Sequence, residues 1–283
     1  MRCRVGRHTD PQCPSGDQVC RFGTARQHCG TGGRSVAEPS VADWQYRSTD
    51  TGDPKDSSEW QGGVVAPTSG PDGVAARVST VEIRSSTEFS SEHACEQWEA
   101  LVSNIFVPVS VERVGSGEFV GSVADVEFDR FGMSMVGGSP QQVRRTRRQV
   151  VRSGEQYLVA IMPTAGSCRI EQQNRVTVTV PGSITFCDTS RPFTCRSDQW
   201  GESVVVRAPL QHVLDETGLS GDELPTALSI SGSSAVGVLT RFFSGLAELN
   251  TVDIDQAAQL AGHGAGLLNS AVLLAARQHM PSG

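Results

Sequence analysis

The first eighty residues of this chain contain no leucine and no isoleucine; the first isoleucine is Ile83 and the first leucine is Leu101. A segment without those side chains cannot bury enough apolar surface to offset the entropy lost on ordering it. Residues 1–80 are therefore expected to be disordered, or not part of the translated protein. The folded part is expected at 81–276, as one domain, with 277–283 a frayed tail or the start of a linker. Val74, Val78 and Val81 stand just before the first apolar-patterned segment. Bacterial genes can start at a valine codon, so translation is expected to begin near these residues.

Charge follows the same division. The chain carries 24 basic and 31 acidic side chains, a net charge of −7. Residues 1–80 hold nine of each sign, so the whole excess of acid lies in 81–283. An acidic domain argues against a broad nucleic-acid surface, because phosphate neutralisation needs clustered cations. Every basic residue except Lys55 is arginine, which reflects a GC-rich coding sequence rather than a function. The longest apolar run near the end, Ala271–Ala276, is far short of the roughly 18 residues of a membrane span. Met1–Asp10 has four charged residues and no apolar stretch, so no secretion signal is expected and the cytoplasm is the expected compartment.

Apolar spacing defines the elements after residue 80. Ala94, Trp98, Leu101 and Ile105 recur at helical intervals behind a Ser90 cap, and Pro108 stops the helix near Phe106. From about 109 to 207 the pattern becomes short apolar runs broken by glycine, proline and asparagine. Those runs read as strands over 109–114, 119–128, 132–136, 142–151, 157–162, 167–172, 176–180, 183–186 and 203–207. Val176, Val178 and Val180 alternate strictly, which places them on one face. Gln173-Asn174 and Pro181-Gly182 supply turns. Beyond Pro209 the period returns to 3.6. Val236, Leu239, Phe243 and Leu246 form one stripe, and residues from Ala257 to Leu274 another, with a turn at Asn250–Thr251. Gly262 and Gly266 in the second stripe suggest close helix contact. The predicted fold class is α+β: one helix, a cupin-like β-barrel or jelly roll, then an antiparallel helix pair over about 209–276.

The residue types exclude most chemistry. Metal-dependent cupin enzymes hold their ion with histidines, and no histidine lies between His93 and His212. No nucleophile elbow, Walker motif or dinucleotide fingerprint is present. Cys3, Cys13, Cys20 and Cys29 are separated by nine, six and eight residues, spacings that do not make two zinc knuckles despite His8 and His28 nearby. His93 and His212 are the only bases within conceivable reach of Cys95 or Cys168, and inert thiols are expected. Cys187 and Cys195 flank a turn and are a redox pair only if oxidised, which a cytoplasmic setting disfavours. Arg144, Arg145, Arg147, Arg148 and Arg152 read as a solvated strand whose arginines protect a sheet edge. No catalytic residue, metal or cofactor is assigned.

A series of short motifs then carries a family resemblance. They are Trp98, Phe106-Val107-Pro108-Val109, Gly117-Glu118-Phe119-Val120-Gly121, and Gly138-Ser139-Pro140-Gln141-Gln142-Val143-Arg144-Arg145-Thr146. Tyr157-Leu158-Val159, Gly166, Glu171-Gln172, Val180-Pro181-Gly182, Asp188–Phe193 and Pro209-Leu210 follow in order. In sequence and spacing these resemble the ligand-binding and dimerisation half of AraC-type transcriptional regulators, over about 84–276. Ser183 stands where that family usually has aspartate after Pro-Gly, and serine can cap the same turn.

The resemblance implies a regulatory domain that senses a small-molecule effector and pairs as a homodimer, or as a heterodimer with a full-length relative. Such relatives continue into two helix-turn-helix units, and the present chain stops at Gly283, so no DNA-binding residue is assigned and no membrane partner is expected. Phe128, Met133, Met135, Tyr157, Val159, Phe186, Arg191 and Trp200 are the candidate pocket residues. Leu260, Leu267 and Leu274 are the candidate dimer contacts. A stand-alone binding module and, behind it, a metal-free cupin-type enzyme are the alternatives.

Overall fold

The computed structural model describes residues 62–64, 68–69, 75–84 and 90–279. The cysteines of the N-terminal segment, with His8 and His28, lie outside them.

Three strands come first: β1 (Gly62–Val64), β2 (Thr68–Ser69) and β3 (Ala75–Arg84). β3 crosses the boundary expected at residue 80. It pairs along Arg77–Arg84 with a later strand, β5 (Val120–Glu127), so sheet structure starts earlier than leucine content suggests. Val81 and Ile83 supply apolar side chains to the C-terminal part of β3, and β-branched residues suit a strand.

The leading helix α1 (Ser91–Ile105) has the expected boundaries, with the Ser90 hydroxyl accepting from the His93 amide and Phe106 as its C-cap. It buries Ala94, Cys95, Trp98 and Val102. β4 (Ser110–Arg113) precedes β5, and β6 (Gly132–Gly138) and β7 (Gln141–Arg145) follow it. The run expected as one strand to Val151 ends at Arg145. Thr146 then opens helix α2 (Arg147–Arg152) with a reciprocal capping box to Gln149, which a count of β-branched residues does not register.

β8 (Tyr157–Ala165), β9 (Cys168–Gln172), β10 (Arg175–Thr179), β11 (Thr185–Asp188), β12 (Phe193–Ser197) and β13 (Gly201–Pro209) complete the strands. β12 occupies part of what reads as a turn between Cys187 and Cys195. Gln173 and Asn174 both take positive φ in the β9–β10 turn, and Gly182 takes φ 81° in the Pro-Gly turn. Ser183 Oγ donates to the Val180 carbonyl at 2.6 Å, so serine does close that turn.

The strands form two antiparallel sheets. The larger runs β1-β3-β5-β6-β13-β8-β11, with β2 paired to β3; the smaller runs β10-β9-β12-β7-β4. β7 lies inside the smaller sheet, between β12 and β4, so its arginines protect no edge. Arg145 is 1% exposed; its Nε and Nη1 donate to the carbonyls of Thr189 and Pro108 at 2.8 and 2.7 Å. Burial pulls this guanidinium's pKa down.

Four helices, not two, follow: α3 (Leu210–Thr217), α4 (Gly237–Val252), α5 (Ile254–Ala261) and α6 (Gly264–His279). The break expected at Asn250–Thr251 falls at Asp253, whose carboxylate caps α5. Gly262 ends α5 rather than packing mid-helix. The close approach belongs instead to Gly264, where a Cβ would meet the Phe131 ring at 2.7 Å, while Gly266 faces open space.

Strand alternation divides the larger sheet between two layers. On one face Val126, Met133, Leu158, Ala160, Met162, Val204 and Val206 pack against Leu239, Phe243, Leu268 and Val272 of the helices. On the other face Val159 and Val205 look toward Phe193 of the smaller sheet, and α1 packs against Val123, Val109 and Val111. Among the described residues no helix is long and apolar enough to cross a membrane.

Candidate functional site

A cavity of about 180 Å³ lies between the two sheets. The larger sheet contributes Val136 from β6, Val159 and Ile161 from β8, Cys187 from β11, and Ser203 and Val205 from β13. The smaller sheet contributes Gln141 and Val143 from β7, Cys168 from β9, and Phe193, Cys195 and Ser197 from β12. Trp98 and Val102 of α1, with Phe106 and Val107, also line it. No aspartate, glutamate, arginine, lysine or histidine lines it.

Trp98 is fixed on two sides. Its Nε1 donates to the Gln141 side-chain oxygen at 2.8 Å. Its ring fills the space beside Gly121, where a Cβ would come within 2.6 Å. Phe106 stacks on Arg207, whose guanidinium carbon sits 5.5 Å from the ring centroid. Arg207 is itself buried and neutralised: Nη1 and Nη2 donate to the two oxygens of Asp125 at 2.7 and 3.0 Å, and Nη2 also meets Glu127. Ser134 donates to Asp125 at 2.5 Å and completes the cluster. The positive charge of Arg207 is thus already paired behind the Phe106 ring.

Of the eight candidate pocket residues, only Val159 lines this cavity. Phe128, Met133 and Phe186 belong to the helix-side core, and Met135 packs against it. Strand parity separates two of them from the lining: one residue along a strand changes the face, and Val136 and Cys187 line the cavity where Met135 and Phe186 do not. Tyr157 packs on the cavity side beside Val159 but points its hydroxyl to Glu155 at 2.9 Å. Burial, then the Glu155 bond, pushes its pKa up to about 12. Arg191 is paired with Asp188 and Asp222 at 3.1 and 2.8 Å. The Trp200 indole nitrogen donates to Glu202. Strand alternation in the sequence is the signal for which residues line this cavity.

Three thiols converge here. The cysteine on the strand next to that of Cys195 is Cys168 rather than Cys187: Cys168 on β9 and Cys195 on β12 belong to the smaller sheet, and Cys187 to the larger. The neighbouring Cys195 thiol is the main cause holding the Cys168 pKa below the ordinary thiol range; Cys168 and burial raise that of Cys195. Burial raises Cys187, the third. Cys95 lies elsewhere, its sulfur 3.7 Å from the Val111 carbonyl. Neither His93 nor His212 lines the cavity. Among the described residues no group of three or more histidines, cysteines or carboxylates is placed to hold a metal ion. Of the dimer candidates, Leu260 and Leu274 are 47% and 40% exposed, while Leu267 is partly buried against the helix-side core.

Comparison with known proteins agrees with this architecture. The family model for the AraC-binding-like domain matches residues 98–274. An uncharacterised protein in the nit 5′ region of Bacillus sp. (strain OxB-1) is 26% identical over 112 residues, covering 40% of this chain and 43% of that protein. The transcriptional activator NphR of a Rhodococcus species is 36% identical over 99 residues, 35% of this chain and 29% of NphR. The matches take in less than half of either relative's length. Among solved structures, the AraC-like transcriptional activator CuxR superposes with a TM-score of 0.56 at 15% identity, over 68% of this chain and 69% of CuxR. At that identity the likeness is one of fold.

Proposed function

The chain belongs to the family of AraC-binding-like domains, the ligand-binding regulatory part of AraC-type regulators, and from that membership we propose that its effector is an uncharged, largely apolar small molecule bound between the two sheets. One observation carries this reading: the cavity has no ionised side chain, and its walls are valines, Ile161, Phe106, Phe193 and Trp98. A charged ligand would lose its hydration there without a counter-charge. A dry apolar cavity of about 150 Å³ holds benzene, so about 180 Å³ suits a molecule of one or two rings. Gln141, Ser167, Thr189, Ser197 and Ser203 are polar groups in its lining that could orient it.

In this reading the domain binds and performs no chemistry, and it acts in the cytoplasm. Leu260 and Leu274 support a second element of the proposal, pairing with another copy or with a longer relative through α5 and α6. Operator binding belongs to that assembly and to no residue assigned in this chain.

The test compares indole with indole-3-carboxylate by calorimetry and by thermal unfolding of the full chain. Indole is expected to bind and to raise the unfolding midpoint, and the carboxylate to do neither. Equal or tighter binding of the carboxylate would overturn the reading, as would no response to indole, naphthalene or benzene. Light scattering during size-exclusion chromatography tests the pairing: a monomer at every concentration, with and without indole, removes it.

A further inference from the structure

Cys168 on β9 and Cys195 on β12 lie on adjacent strands and both face the cavity. Cys195 is paired with Ile170, two residues along β9 from Cys168, so the two cysteines are diagonal neighbours on one face of the smaller sheet. Diagonal neighbours in an antiparallel pair stand about 7–8 Å apart, whereas a disulfide spans Cα atoms about 4.4–6.8 Å apart. A direct sulfur–sulfur bond therefore needs the strands to move. One sulfur-binding atom placed between the thiols bridges the wider gap with the ladder intact. The cavity wall beside them, Val143, Phe193 and Ile161, is apolar.

We propose that Cys168 and Cys195 form a dithiol site within the cavity for an apolar ligand carrying one trivalent arsenic atom. This rests on the cavity reading above and specifies a class of effector for it. Arsenic is soft and prefers thiolate to oxygen or imidazole donors, and an attached ring occupies the apolar space. With phenylarsine oxide the balance is simple. Two S–H bonds and the arsenic–oxygen bond break, two As–S bonds form, and the oxygen leaves with both protons as water. Arsenic stays trivalent and no oxidant is needed. Cys187 lies on β11 of the larger sheet, across the cavity from the pair, and is not its neighbour on any strand ladder.

The experiment uses the full chain and phenylarsine oxide. Native mass spectrometry is expected to show one phenylarsenic adduct fewer on the Cys168→Ser and Cys195→Ser variants than on the unaltered chain, with the Cys187→Ser variant unchanged. Equal uptake by all four chains would overturn the proposal. A second measurement needs no variant. The arsenical is expected to slow maleimide alkylation of Cys168 and Cys195 together by at least tenfold, reversed by 2,3-dimercaptopropanol; unchanged rates, or protection of one thiol alone, would also overturn it. Indole binding without arsenical capture sinks the dithiol site and leaves the cavity reading standing. Capture at these thiols without indole binding does the reverse.

Discussion

The indole ring of Trp98 occupies the space that a Cβ on Gly121 would need, 2.6 Å from the nearest ring carbon. Trp98 is 1% exposed, and its own hydrogen bond to Gln141 leaves it little freedom to retreat. Gly121→Ala is therefore an overpacking change, expected to cost about 1–3 kcal/mol. Urea denaturation followed by tryptophan fluorescence measures it. A stability equal to that of the unaltered chain would show that the ring yields freely.

Arg207 and Asp125 form a buried two-bonded pair, with side chains 4% and 12% exposed. Removing the acid leaves a guanidinium with only Glu127 and Ser134 to answer it. Asp125→Ala is expected to destabilise the domain by about 3–5 kcal/mol, the range for breaking a buried pair from one side. Replacing Asp125 with leucine and Arg207 with methionine together is expected to recover much of that loss. The comparison of the two by chemical denaturation checks the assignment.

The two faces of the larger sheet predict opposite mutational profiles. Met133 is 1% exposed in the helix-side core, so Met133→Ala is expected to cost about 2–5 kcal/mol and leave indole affinity unchanged. Val159→Ala enlarges the cavity instead. It is expected to shift ligand preference toward larger rings at a smaller stability cost. Calorimetry with benzene, indole and naphthalene on both variants separates the two outcomes.

Tyr157 has its pKa raised from 10.0 to about 12, first by burial and then by Glu155. The folded state holds this proton more tightly than the unfolded state does. The associated stabilisation is thus complete below about pH 10 and is lost as pH rises toward 12. Alkaline absorbance titration is expected to show a late-ionising tyrosine that Tyr157→Phe removes, along with the fall in stability over that window. An ordinary tyrosine titration throughout would contradict the burial of this ring.

The parts of the fold legible from sequence were those set by local chemistry. Ser90 and Pro108 bracket α1, and the Gln173-Asn174 and Pro181-Gly182 turns fall where turn residues demand. What local pattern does not carry is the partner of each face. Met133 and Val136 belong to one apolar run, yet one packs on helices and the other borders the cavity. Nor does a leucine count reveal β3, whose order comes from its ladder with β5. Arg145 shows the same limit: its neighbours in sequence are solvent-facing arginines, and only the carbonyls of Pro108 and Thr189 explain its burial. A helical stripe likewise groups Leu260, Leu267 and Leu274, while the packing leaves Leu260 and Leu274 exposed and sets Leu267 partly against the core.

β13 is one ribbon with two audiences. Ser203 and Val205 touch whatever enters between the sheets, while Val204, Val206 and Ala208 bear on the layer that includes α4 and α6. These side chains alternate along a single backbone hydrogen-bonded on both edges, to β6 and to β8. The strand cannot rotate one face without carrying the other. If a guest displaced Val205, the same peptide units would carry the shift to Val204 and Val206 and so to how they seat against the helices.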